Sequence, residues 1–182
     1  SEYYTAIRAA NLYLKEAEGQ TFEDWENAEK YKDMMKEFNN FPYEVRFLRA
    51  FYYFELIKRY NDVPLVTTVL TQDEVNSLER ESCDLVADFI IKELTEITAE
   101  GKLPITYTEG FASKDIGRIT RGAALALKSR VTLYMASPLY SEDNAGKWKK
   151  AVCAGYLSCA YSFFTECSNC FQLRFRFTFY TE

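Results

Sequence analysis

Four of the five cysteines lie in residues 151–182, and Cys167-Ser168-Asn169-Cys170 has the spacing of a zinc knuckle or a redox pair. Cys153 and Cys159 could complete four thiolates, but their separation is not that of a standard knuckle. No basic group or His lies within the span from Cys153 to Cys170 to lower a thiol pKa, so an incidental disulfide is a nearer reading than metal. The chain has no His at all, which excludes Ser-His-Asp and Cys-His catalysis together with every imidazole-ligated site. Asp24 with Glu26, or Asp73 with Glu74, could be named as the acid and base of a glycosidase. That chemistry requires two carboxylates facing each other across a cleft with one desolvated, whereas adjacent acids on polar segments form solvated faces. Gly117-Arg118-Ile119-Thr120-Arg121-Gly122 looks faintly like a phosphate cradle, but it lacks the Gly-Lys-Ser/Thr ending and a preceding strand. It reads as a helix cap with close packing. No cofactor, metal or catalytic group is expected, and the chain reads as a non-enzyme.

Rings are the remaining chemical resource. Sugars stack their C–H faces on aromatic side chains while their hydroxyls bond to Asn, Asp and Arg. Most of the 14 Tyr and 14 Phe fall on helical stripes and read as core. Tyr107 and Phe111 in a long loop, and Tyr140 after Pro138, are least explained by packing, so these three are the candidate ligand-binding residues.

The elements that must position them are helical. Tyr4, Ile7, Ala10, Asn11 and Leu14 recur at spacings of three and four, predicting a helix over 2–18 with Ser1 as N-cap and Gly19 beyond its end. A second helix is expected after Thr21, carrying Phe22, Trp25, Met34, Met35 and Phe38. A third is expected over about Pro42 to Tyr60, with Pro42 in the first turn where its missing N–H is harmless. Val45, Leu48, Tyr52, Leu56 and Ile57 form its stripe, Phe47, Phe51 and Phe54 widen it, and Phe51 is expected in the core. Val63-Pro64-Leu65-Val66 is expected to be extended. A fourth helix (about Ser82 to Ala99) carries Leu85, Val86, Phe89, Ile90, Leu94 and Ile97 on one side. After a loop from Lys102 to Gly117, a fifth runs from near Thr120 to Ala136, stopped by Ser137-Pro138, and a sixth begins near Asn144. Only Thr67 to Leu70 suggests a strand, without an evident partner, so the fold class is all-α.

At 182 residues the chain suits one domain, and 48% hydrophobic residues with few Gly and Pro exclude disordered or collagen-like classes. A net charge of -5 argues against nucleic acid as a partner. No apolar run approaches the ~20 residues that span a bilayer, and Ser1-Glu2-Tyr3-Tyr4 is not a secretory signal. The composition breaks near residue 150: residues 151–182 contain neither Lys nor Asp and are rich in Cys and rings. The division expected is therefore 1–150 as the helical region and 151–182 as an atypical tail arising from a reading-frame shift or an aberrant terminus. Translating the source DNA in the other two frames tests this.

Three stretches together resemble the SusD/RagB family. Glu44-Val45-Arg46-Phe47-Leu48-Arg49-Ala50-Phe51-Tyr52-Tyr53-Phe54-Glu55-Leu56, followed by Arg59-Tyr60-Asn61-Asp62-Val63-Pro64-Leu65-Val66, is similar to its EARFLRAFYYFxLVxxYGDVPLV signature. The segment from Gly117 to Tyr134 resembles its GRxTKGAAxALxARVxLY helix, followed by an Ala-Ser-Pro-Leu-Tyr turn, and Tyr4 to Leu14 is similar to its YxxIxxANxxL helix. The resemblance covers about residues 2–150 in matching order. It implies a tetratricopeptide-like helical superhelix with long inter-helix loops, in which stacked helix pairs bury faces that no single pair could bury alone. It further implies an outer-membrane lipoprotein of Bacteroidetes-type bacteria, facing the cell surface, that binds an oligosaccharide and passes it to a SusC-like TonB-dependent transporter. A peptide ligand, as in the RagB branch, or a generic helical-repeat scaffold for protein partners are the alternatives. Members are not enzymes. They run to several hundred residues behind a signal peptide and a lipid-bearing Cys, so this chain is expected to be a fragment, its membrane attachment resting on an anchor it does not carry. The family glycine before Asp-Val-Pro is Asn61 here, which a left-handed helix terminus tolerates. Arg46, Arg49 and Arg118 are expected to pair with carboxylates between helices.

Overall fold

The computed structural model describes residues 2–20, 22, 31–107, 115–140 and 144–164. Among the described residues six helices follow one another: α1 (Glu2–Ala17), α2 (Tyr31–Tyr60), α3 (Gln72–Asn76), α4 (Cys83–Ile97), α5 (Arg121–Met135) and α6 (Asn144–Phe164). Successive long helices pack on one another, α1 on α2, α2 on α4, α4 on α5 and α5 on α6, in the all-α superhelical manner of tetratricopeptide-like repeats. Their shared interior contains Ile7 of α1, Tyr53, Phe54, Leu56 and Ile57 of α2, Val86, Ile90, Leu94 and Ile97 of α4, and Leu127 and Val131 of α5. The small residues at the start of α5 allow close approach there: Ala124 is fully buried.

Several boundaries follow from capping. The Ser82 hydroxyl accepts the Leu85 N–H at the start of α4, and the Thr120 hydroxyl accepts the Ala123 N–H at the start of α5. Asn61 ends α2 with φ +60, the left-handed conformation that its short amide side chain tolerates.

Two expectations about α2 are corrected. The separate helices expected on either side of Pro42 are one helix from Tyr31 to Tyr60, with Pro42 inside it. An interior proline removes one backbone hydrogen bond and costs ~3 kcal/mol in an isolated helix. Here packing on both flanks offsets it. Phe38 meets Phe22 edge-on at 4.7 Å and Phe41 at 6.4 Å, while the Arg118 guanidinium lies 4.7 Å from the Phe41 ring centre. Arg118 also reaches carboxylates on both sides of the proline, Glu37 at 4.0 Å and Glu44 at 2.7 Å. The part of the expected second helix over 23–30, with Trp25, lies outside the described residues.

The stripe of α2 is also rotated from the one expected. Ala50, Tyr53, Phe54, Leu56 and Ile57 are buried, whereas Leu48 is exposed and Val45, Phe47, Phe51 and Tyr52 are only half-buried. In α4, Leu85 is exposed for the same reason: a helix apolar on many sides does not announce which side meets its neighbours.

Thr67 to Leu70 forms no strand, and the short α3 follows it. Among the described residues the one β-bridge pairs Val63 with Glu81, their N–H groups donating to each other's carbonyls at 3.2 and 3.1 Å. The rest of this extended segment is held by side chains. The Tyr4 hydroxyl donates to the Pro64 carbonyl at 2.8 Å, and the Asn11 amide donates to the Val66 and Thr68 carbonyls. The Tyr53 hydroxyl both accepts from the Val66 N–H and donates to its carbonyl. A strap without a sheet thus has its half-buried backbone groups satisfied from two helices. Finally, α6 runs unbroken through residue 150, where the composition changes, while 165–182, with Cys167 and Cys170, lie outside the described residues.

Candidate functional site

The three arginines pair between elements as expected. The Arg46 guanidinium donates to Glu93 at 2.8 and 3.1 Å and to Glu96 at 2.5 Å. Arg49 donates to Glu93 Oε2, an oxygen it shares with Arg46 Nε, at 2.7 Å and to the Asn11 amide oxygen at 2.8 Å. Burial pushes the Glu93 carboxyl upward, but the hydrogen bonds and charges of the two arginines outweigh it and hold the group below its ordinary range. These groups join α1, α2 and α4. They are a framework around the strap, with their oxygens already occupied.

Tyr107 belongs to a second such network. Its ring is 4% exposed, its hydroxyl donates to Glu44 at 2.8 Å, and Arg118 lies 5.5 Å from its ring centre. Burial first, and then the Glu44 carboxylate, raise its phenol above the ordinary value. Arg118 also donates to Asp115 at 3.0 Å, so the loop before α5 is fastened to α2. In this chain Tyr107 presents no open ring face; its hydroxyl ties the segment after α4 to α2 through Glu44. Phe111 lies outside the described residues.

Tyr140 stands elsewhere, at the edge of a cleft. A cleft of about 410 Å³ lies where the end of α2, the start of α4 and the turn after α5 meet; Asn61, Asp62, Ser82, Asp84, Leu139 and Tyr140 line it. The turn is set by Ser137-Pro138: the Tyr140 N–H donates to the Ser137 carbonyl at 3.0 Å. The half-buried Tyr140 ring lies 5.0 Å from the Tyr134 ring at a 38° tilt, with the two hydroxyls 3.1 Å apart. Burial and that hydrogen bond raise the Tyr140 phenol, which stays neutral at physiological pH. Leu139 beside it is 80% exposed.

The polar lining is ordered by specific bonds. Asp62 accepts the Cys83 N–H at 2.9 Å, helping to cap α4, and also accepts the Asn61 amide at 2.9 Å. The Lys147 ammonium, from the first turn of α6, donates to Asp84 at 2.7 Å and to the Tyr140 carbonyl at 3.2 Å. The arrangement can offer a ring, an apolar side chain, a hydroxyl and carboxylate oxygens to a polyhydroxylated ligand. Neither Asp84 nor Lys147 is recognisable from the sequence, because 63 residues separate two groups that meet only when α6 folds back toward α4. Among the described residues no cluster of His, Cys, Asp and Glu is arranged to hold a metal ion, and no helix is long and apolar enough to cross a membrane.

A family profile described as SusD-like, "Starch-binding associating with outer membrane", matches residues 1–133. A SusD-like protein of Bacteroides fragilis is 34% identical, with a TM-score of 0.59 over 84% of this chain and 26% of its own. A laminarin-binding SusD-like protein is 30% identical, with a TM-score of 0.59 over 74% of this chain and 25% of its own. A SusD-like carbohydrate-binding protein of Bacteroides fragilis, 24% identical, shares the fold with a TM-score of 0.66 over 87% of this chain and 26% of its own. The chain thus spans about a quarter of the length of these solved structures. No curated protein matches it. The profile covers most of the chain and takes in the strap, both arginine networks and nearly all of α5: this protein belongs to the SusD-like family.

Proposed function

We propose that this chain is part of a cell-surface protein that captures oligosaccharides and hands them to a SusC-like TonB-dependent transporter in the outer membrane. The observation that carries this reading is the family match over residues 1–133, in the company of a 30%-identical relative described as laminarin-binding. The geometry supports it through the Tyr140 cleft, where a ring and ordered polar groups occupy one concavity. Tyr140 is the ligand-facing candidate within the described residues, and Tyr107 serves by fixing the loop that leads into α5. Phe111 remains a proposed contact of that loop.

The role is binding without turnover. The two carboxylates in the cleft are each held by a donor, Asp62 by a backbone N–H and Asp84 by an ammonium, which suits fixed hydrogen-bond acceptors more than a proton-exchanging pair. A glycan array probed with the full chain, with peptide pools screened beside it, tests the reading. Retention of one or more glycans without cleavage supports it. Retention of peptides alone would move the protein to the RagB-like branch, and glycan hydrolysis would make it an enzyme.

A further inference from the structure

The charge balance of the Tyr140 cleft narrows the class of sugar. Resting on the glycan-capture reading above, we propose that this cleft selects neutral oligosaccharides over uronate-bearing ones, with Asp84 as the specificity-determining acceptor of sugar hydroxyls.

The lining divides into groups that are used and groups that are free. Asp62 accepts both the Cys83 N–H and the Asn61 amide on its Oδ1, which ties this carboxylate to the start of α4. Ser82 accepts the Leu85 N–H, which leaves its own O–H to donate. The cation within reach, Lys147, is divided between Asp84 and the Tyr140 carbonyl. Asp84 meets the Lys147 side chain instead: it is 63% exposed, and Lys147 donates to one of its two oxygens. Among the described residues, two carboxylates against one engaged ammonium give the cleft a net negative charge.

A uronate entering here would meet like charge, and to gain a cationic partner it would have to displace Asp84 from Lys147. A neutral sugar brings only hydroxyl donors. It can place one on the second Asp84 oxygen, stack a C–H face on Tyr140, and cover the exposed Leu139. Lys147 contributes by holding Asp84 in one rotamer, so less side-chain freedom is lost on binding.

Titration calorimetry of the full chain with laminarihexaose, maltohexaose and hexagalacturonate tests the proposal. A neutral hexasaccharide is expected to bind at least about tenfold more tightly than hexagalacturonate. Asp84→Asn keeps the shape and removes the charge; it should weaken neutral binding about tenfold and bring the two classes within about threefold. Asp88→Asn, on the same helix but outside the cleft, changes net charge equally and should leave both affinities unchanged. Melting curves of the variants check that folding is intact. Hexagalacturonate binding as tightly as the neutral sugars, or Asp84→Asn with unaltered neutral affinity, would overturn the selectivity while leaving glycan capture in place. Failure of all three sugars to bind would remove the capture reading itself and the selectivity with it.

Discussion

Glu93 shows most sharply how single residues hold this molecule together. It lies within the apolar stripe of α4, 7% exposed, and its two oxygens receive Arg46 and Arg49 from α2. Taking three charges out of water is costly, so the cluster adds little net stability over an apolar one, but removing one member strands the others. Glu93→Gln is expected to cost roughly 3 kcal/mol, read as a fall in the urea midpoint without a change in slope. A loss below ~1 kcal/mol would mean that water reaches the arginines. The pH dependence follows from the same contact. The folded carboxyl titrates below its ordinary 4.5, so its contribution is whole above that pH and is lost as the pH falls through the lower folded value. An acid titration of the melting temperature should show that decline, and Glu93→Gln should flatten it. The sequence announced the arginines, because Arg46 and Arg49 in the ring-rich part of α2, and Arg118 just before α5, need anions once packed between elements. It could not name Glu93 as the partner, since one acid on a stripe gives no hint of what lies 44 residues away.

At the scale of the element, the long helices, the caps at Ser82 and Thr120 and the end at Asn61 were legible because they depend on local spacing and backbone conformation. What misled was α2. Pro42 signals a helix start to any local rule, and only contacts from Phe22 and Arg118, distant in sequence, carry the helix through it. Its ring-rich surface likewise hides its orientation. Phe51 and Phe54 are three residues apart and look equivalent, yet Phe54 is fully buried against Tyr134 while Phe51 sits at the margin, against Tyr52. Phe54→Ala is therefore expected to cost ~3–5 kcal/mol, and Phe51→Ala less than half of that. Equal losses in chemical denaturation would restore the stripe first read from the spacing. The candidate site was legible only in Tyr140, because Pro138 freed that ring from the helical pattern. Asp84 and Lys147, on helices far apart in the chain, had no signal of their own.

Across the whole molecule the strap after α2 decides whether the helices act as one unit. Stacked helices that touch only their neighbours can unfold piecemeal. Here Tyr4 and Asn11 from α1, and Arg49 and Tyr53 from α2, all bond to backbone between Pro64 and Thr68, while Glu81 at the threshold of α4 pairs with Val63. One segment therefore reports on three helices. Tyr53→Phe would leave the Val66 N–H without its partner and the Val66 carbonyl with the Asn11 amide alone, an expected loss of about 1–3 kcal/mol. The alkaline limb has the matching sign. Burial raises the Tyr4 phenol to about 12 and the Tyr53 phenol further, each acting as a donor that must stay protonated. Their contribution is complete below pH 10 and lost as the pH climbs through the folded values. Circular dichroism melts from pH 9 upward should thus show a steep loss in the parent and a shallower one in Tyr53→Phe. If the strap is the common tie, Tyr53→Phe moves the entire helical signal in a single transition; a split melt, with only the α1–α2 part shifted, would show that the stack from α4 onward stands without it.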